Sequence, residues 1–188
     1  MALLLLFSYY NLLCVPSFAT ASSTNLASAL LKWKFSLDKQ SQSALSSWVG
    51  TNPCQNNWTG IGCSNGSERV VTSIIVQHVN LTGTLDDLDT WSLRDLETFD
   101  LSFNLLYGSI PSSIGNMSNL KYLALATNNF SGEIPFEIGM LTSLTVLYLN
   151  TNTLTGHIPD STGNLTNLTS LNLYENRLNG RIPNSIGC

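Results

Sequence analysis

Two rhythms of apolar residues divide this chain. Between 25 and 48 the spacing is helical: Leu26, Leu30, Trp33 and Leu37 fall at i, i+4, i+7 and i+11, one face of a helix. A second helical piece is expected to carry Leu45 and Trp48. From Val71 onward apolar residues alternate within a longer unit. Leu96, Leu120, Leu144 and Leu168 are 24 residues apart, as are Leu101, Leu125, Leu149 and Leu173. Asn104, Asn128, Asn152 and Asn176 keep the same interval, and so do Gly108, Gly132, Gly156 and Gly180. Ile110-Pro111, Ile134-Pro135, Ile158-Pro159 and Ile182-Pro183 close each unit. A weaker copy, one residue longer, runs from Val71 through Ile74, Val76, Leu81, Gly83 and Leu85, with Val79 where the others have Asn.

Four registered copies of L-x-x-L-x-L-x-x-N-x-L-x-G-x-I-P over 93 residues make a leucine-rich repeat. The L-x-L core has period two, which predicts a short strand with its leucines inward. Successive strands then stack about 4.8 Å apart in a parallel sheet, because no single coil buries its own apolar side. The Asn is expected to turn inward and bond backbone groups left unpaired where the strand ends. The I-P segment resembles the plant-type repeat, which implies a second short sheet and a twisted solenoid. The fold class is therefore α/β, a solenoid with a parallel concave sheet, 24-residue repeats and a helical N-terminal cap.

Composition narrows the function. The chain has 188 residues, 11% of them charged and a net charge of -4, with 32 Leu and 20 Asn. Eight Lys plus Arg without a basic run argue against nucleic acid or an anionic membrane surface as partner. The apolar run from Leu3 to Val15 and the A-x-A site Ala19-Thr20-Ala21 predict a secretory signal over residues 1–21, although no basic residue precedes Lys32. Its removal takes Cys14 away. Cys54 and Cys63, eight residues between them, are then expected to form a disulfide contributing roughly 2 to 3 kcal/mol. Seven N-x-S/T sequons agree with the secretory route and make Asn57, Asn65, Asn80, Asn116, Asn129, Asn164 and Asn167 expected glycosylation sites.

ALLKWKFSLD (29–38), LSSWVGTNPC (45–54) and WTGIGC (58–63), followed by these repeats, resemble the N-terminal part of a plant leucine-rich-repeat receptor-like kinase ectodomain, in the group of male-discoverer-interacting receptor kinases. The resemblance implies a signal at 1–21, a cap at 22–70 and about five repeats at 71–188, the last cut short. It implies an extracellular location and a secreted peptide or protein ligand on the concave face, with a possible leucine-rich-repeat co-receptor. The family's paired-Cys C-terminal cap, membrane span and Ser/Thr kinase are not in this sequence, so the chain reads as a truncated ectodomain held to a membrane only through a missing segment. No phosphate-binding or catalytic-loop motif occurs, and neither an enzyme activity nor a cofactor is expected. Cys188 is expected to be half of a lost cap pair or a product of truncation. Two alternatives remain open: a secreted inhibitor of a pathogen cell-wall enzyme, similar to polygalacturonase-inhibiting proteins, or a short co-receptor or decoy.

The variable positions between the repeat leucines are expected to project from the concave sheet. The candidates for ligand contact are Asp100, Ser102, Phe103, Lys121, Tyr122, Tyr148, Asn150, Asn172, Tyr174 and Glu175. The tyrosines are suitable interface anchors. Five strands span only about 19 Å, enough for roughly six extended residues. The strip of about 300 Å² falls well short of the ~800 Å² per partner of a stable interface. The chain is thus expected to act within a longer ectodomain or with a helper. Asp86, Asp87, Asp89, Asp95, Glu97 and Asp100 form an acidic run whose spacing fits no calcium loop and reads as a solvated edge. His78 and His157 read as surface residues.

Overall fold

The computed structural model describes residues 18–67 and 69–186. Residues 18–21 of the expected signal open the first helix, while the rest of that segment, Cys14 and Cys188 lie outside the described residues. The cap consists of α1 (Phe18–Ser36), α2 (Lys39–Ala44) and β1 (Ile61–Cys63). Five strands follow on one face: β2 (Val71–Ile75), β4 (Thr98–Asp100), β6 (Tyr122–Ala124), β8 (Val146–Tyr148) and β10 (Ser170–Asn172). They pair in parallel, and β1 adds an antiparallel edge to give the order β1-β2-β4-β6-β8-β10. A second parallel sheet, as the I-P resemblance implied, joins β3 (Thr82–Gly83), β5 (Leu105–Ser109), β7 (Asn129–Glu133) and β9 (Thr153–Thr155). Each coil returns through a 3-10 turn, at 90–93, 112–116, 136–140 and 160–164.

The repeat residues fill one continuous core. Leu96, Leu120 and Leu144, with Leu101, Leu125 and Leu149, are all within 1% of full burial. Phe99 takes a leucine position in the second coil and is fully buried. On the returning side the coils approach so closely that Gly139 has no room for a side chain. An added Cβ would lie 2.2 Å from the Ser161 carbonyl oxygen. The same close approach of the next coil accounts for Gly115 and Gly163, which stand 24 residues to either side.

The cap covers the open edge of the first coil. Trp33, Trp48 and Trp58 are buried together, Trp48 stacked on Trp58 at 5.3 Å and tilted against Trp33 at 6.2 Å. Each indole N–H donates to a carbonyl: Trp33 to Thr84, Trp48 to Thr59 and Trp58 to Val49. The Trp33 bond ties α1 to the first coil. Asp38 caps α2 by accepting from Ser41 N at 2.7 Å, and these bonds hold its carboxyl below the usual carboxylate range. That share of stability is present above about pH 3.8 and is lost as pH falls through the lowered value. The Cys54–Cys63 disulfide is formed and ties the turn at 53–57 to β1, which pairs with β2.

One expectation for the cap changes. The second helix ends at Ala44, so Leu45 and Trp48 are not in it: Leu45 is its C-cap and Trp48 lies in the turns beyond. Both are buried from those positions, because the turns fold them back onto α1. Lys34 lies beside the apolar helix face and is buried, its ammonium donating to the Trp48 carbonyl at 3.0 Å. Burial lowers its pKa.

Candidate ligand-binding face

The concave sheet is built in rows, because parallel partners share a face. Thr98, Tyr122, Val146 and Ser170 align in one row, and Asp100, Ala124, Tyr148 and Asn172 in the next. Beyond the strands, Phe103 N, Thr127 N and Thr151 N donate to Ala126, Asn150 and Tyr174 carbonyls, so the coils stay in step.

Behind this face the predicted asparagines form a ladder. The Asn104, Asn128, Asn152 and Asn176 amides donate to the backbone carbonyls of Val76, Leu101, Leu125 and Leu149 in the preceding coil. Asn104 also donates within its own coil, to Leu101, and the last three do the same to Leu125, Leu149 and Leu173. The Oδ1 atoms of these three accept from Leu106, Phe130 and Leu154 N–H groups of the preceding coil. Asn104 accepts from the Leu81 N–H of the preceding coil in the same way, and from the Val79 N–H as well.

The candidate residues divide by exposure. Tyr174 is 58% and Phe103 46% exposed. Lys121 and Glu175 are also exposed, and Tyr122, Tyr148 and Asn172 are half-buried. Asp100, Ser102 and Asn150, expected to project outward, are instead buried at 4%, 4% and 8% exposure. Concave curvature crowds neighbouring side chains over them, together with Ala124 and Ala126. Asp100 is occupied internally, accepting from Gln77 Nε2 at 2.5 Å and from Ser102 N at 2.9 Å. Phe103, Thr127, Thr151 and Glu175 all have φ between 52° and 58°. Their side chains therefore leave from a left-handed turn at the rim and not from the strand. His78 occupies that position in the first coil, exposed as expected, and stacks on Phe103 at 4.3 Å.

Tyr122 and Tyr148 meet edge to face at 5.9 Å, and the Tyr148 hydroxyl bonds the Ser170 hydroxyl at 3.1 Å. Burial pushes the Tyr122 phenol pKa up, with smaller contributions from the Asp100 charge and Tyr148. Lys121 pairs with Glu97 at 2.9 Å, and the exposed Thr151 hydroxyl donates to Glu175 at 2.9 Å. Such exposed pairs contribute little stability. Among the described residues no Lys, Arg or His lies within 4.0 Å of Asp100. The face is thus a mixed aromatic and polar strip with a buried carboxylate beneath it.

The remaining acidic residues are dispersed. Asp86 accepts from the Thr84 hydroxyl, Asp87 pairs with Lys32 at 3.0 Å, and Asp89 caps a 3-10 turn. No sequon lies on an outward position of β2, β4, β6, β8 or β10. Six of the seven asparagines are exposed; Asn116 is half-buried and donates to Thr90 Oγ1.

Comparison with known proteins matches residues 27–64 to the leucine rich repeat N-terminal domain. Leucine rich repeats match over 95–117, 119–141, 143–165 and 167–188. MDIS1-interacting receptor like kinase 2 of Arabidopsis thaliana is 39% identical over 108 residues, 56% of this chain. The aligned part is 10% of that protein, so the chain spans about a tenth of this relative. A chain of the BIR3–SERK2 complex from Arabidopsis thaliana superposes with a TM-score of 0.74 and 35% identity, over 84% of this chain and 85% of that one. The ectodomain of the Arabidopsis thaliana membrane receptor kinase GASSHO1/SCHENGEN3, in complex with CASPARIAN STRIP INTEGRITY FACTOR 2, superposes with a TM-score of 0.78 and 34% identity. That match covers 86% of this chain and 19% of the ectodomain.

Proposed function

The chain belongs to the leucine-rich-repeat receptor ectodomains of plants, and we propose that it is the ligand-recognition part of a receptor-like Ser/Thr kinase. In this reading a secreted peptide or protein docks on the concave face, across Tyr122, Tyr148, Asn172 and Tyr174, with Lys121 and Glu175 at the margins. The supporting observation is the aligned aromatic and polar strip on β6, β8 and β10, which carries no sequon and contributes little to the core. The buried Asp100, Ser102 and Asn150 act from below, fixing the floor on which the exposed residues stand. The match to repeats and to the ectodomain of such a kinase supports a part in recognition. The extracellular location follows from the same kinship. No helix among the described residues is long and apolar enough to cross a membrane.

A second reading rests on the superposition with a chain of the BIR3–SERK2 complex, over 84% of this chain and 85% of that one. In this reading the chain binds a co-receptor ectodomain directly. Interferometry of the secreted chain against the SERK2 ectodomain separates the two. The ligand-recognition reading expects no binding without a peptide. The co-receptor reading expects micromolar binding without one, weakened about tenfold by Tyr148→Ala if the concave face is used.

A further inference from the structure

β5 carries an apolar pair that the protein itself leaves uncovered. Leu105 and Tyr107 point out of the second sheet, 47% and 50% exposed, while Leu106 between them is fully buried. The rest of that outer face is polar, with Thr82 on β3, Asn129, Ser131 and Glu133 on β7, and Thr153 and Thr155 on β9. Tyr107 stands directly opposite Asn129 in the parallel register of β5 and β7. Their side chains therefore share a face, from strands about 4.8 Å apart. Asn129 is exposed and opens the sequon Asn129-Phe130-Ser131. Phe130 is fully buried, which anchors the strand and holds Asn129 outward beside the ring.

We propose that Asn129 carries an N-linked glycan whose first N-acetylglucosamine lies on the ring of Tyr107 and covers this patch. The inference needs entry to the secretory route but is independent of what the concave face binds. A bond forms between Asn129 Nδ2 and C1 of the sugar. One amide proton leaves, and so does the polyisoprenyl diphosphate of the lipid-linked donor supplied by that route. The attached pyranose presents axial C–H groups on one face, and these meet the negative face of an aromatic ring favourably. Its hydroxyl and acetamido groups remain in water, as does the Tyr107 hydroxyl. A sugar held this way removes apolar area from water in the folded state only, and so it raises stability.

The full chain, secreted from a eukaryotic host, provides the test. Occupancy at Asn129 is read by mass spectrometry. Melting is then compared for the unsubstituted chain, Asn129→Gln, Tyr107→Ser and the double variant. Asn129→Gln is expected to lower Tm by about 2–4 °C, the shift of a single good contact in a chain of this size. In the Tyr107→Ser background the same change is expected to move Tm by less than about 1 °C. The difference should persist after trimming every glycan to a single sugar, and vanish in unglycosylated protein from bacteria. An unoccupied Asn129, equal shifts in both backgrounds, or loss of the effect on trimming would each overturn the proposal.

Discussion

Asn128→Ala is expected to destabilise the solenoid by about 3–4 kcal/mol. Asn128 is 7% exposed and serves two coils at once. Its Oδ1 is the acceptor for the buried Leu106 N–H at 3.0 Å, and its amide donates to Leu101 of one coil and Leu125 of its own. Alanine orphans the Leu106 donor, a loss of about 1–3 kcal/mol for a buried N–H. It also leaves the Leu101 and Leu125 carbonyls with one asparagine each, Asn104 and Asn152, where the native coil gives them two. An exposed control, Asn179→Ala, should stay within about 0.5 kcal/mol. Asn128→Asp keeps an acceptor for Leu106 but faces the two carbonyls with a charge. Its carboxyl is therefore driven above the ordinary range, so this variant should gain stability as pH falls, whereas the alanine variant should not. Urea unfolding of the three variants at pH 7 and pH 4 measures both effects. Equal midpoints for Asn128→Ala and Asn179→Ala would refute the ladder as a source of stability.

Trp48→Ala is the second large effect, about 3–5 kcal/mol. Trp48 is fully buried between Trp33 and Trp58, and its N–H donates to Thr59 at 2.9 Å. Truncation opens a cavity in the cap, strips both neighbouring rings of contact and leaves the Thr59 carbonyl short of a donor. The cap in turn covers Ile74 and Leu81 of the first coil, both fully buried. A loosened cap exposes that edge, and end-to-end association of solenoids should follow. Trp48→Phe retains most of the packing and should lose roughly half as much. Melting temperature and light scattering, recorded together, check both parts. A Trp48→Ala protein that melts with the unsubstituted chain and stays monomeric would show that the cap is not needed for stability.

Why some of this is legible in sequence and some is not is a matter of period and of neighbours. The 24-residue phase of leucine and asparagine is local chemistry repeated, so it reveals the strands, the core and the ladder. The second sheet comes with the I-P pairs. The left-handed turn at Phe103, Thr127, Thr151 and Glu175 carries none of the Gly or Asn that usually marks one. The ladder imposes it from the following residue, so no single residue announces it. Burial of Asp100, Ser102 and Asn150 is also hidden. Alternation predicts the side of a strand, but curvature decides how much of that side meets water. Lys34 escapes for a similar reason: its partner, the Trp48 carbonyl, is 14 residues away in a turn that helical spacing does not foresee. The Gln77–Asp100 bond lies across the one repeat with irregular length.

The concave face, and not the returning side, is expected to meet the partner. Photo-crosslinking tests it for a ligand of any identity. A benzophenone side chain is placed at Tyr148 in one protein and at the exposed Phe136 of a 3-10 turn in another. Each purified chain is irradiated in plant extracellular fluid, and adducts are identified by mass spectrometry. Adducts with a secreted peptide or an ectodomain at position 148, and none at 136, are the predicted result. Adducts at 136 alone, or the same adducts at both positions, would contradict recognition through the concave face.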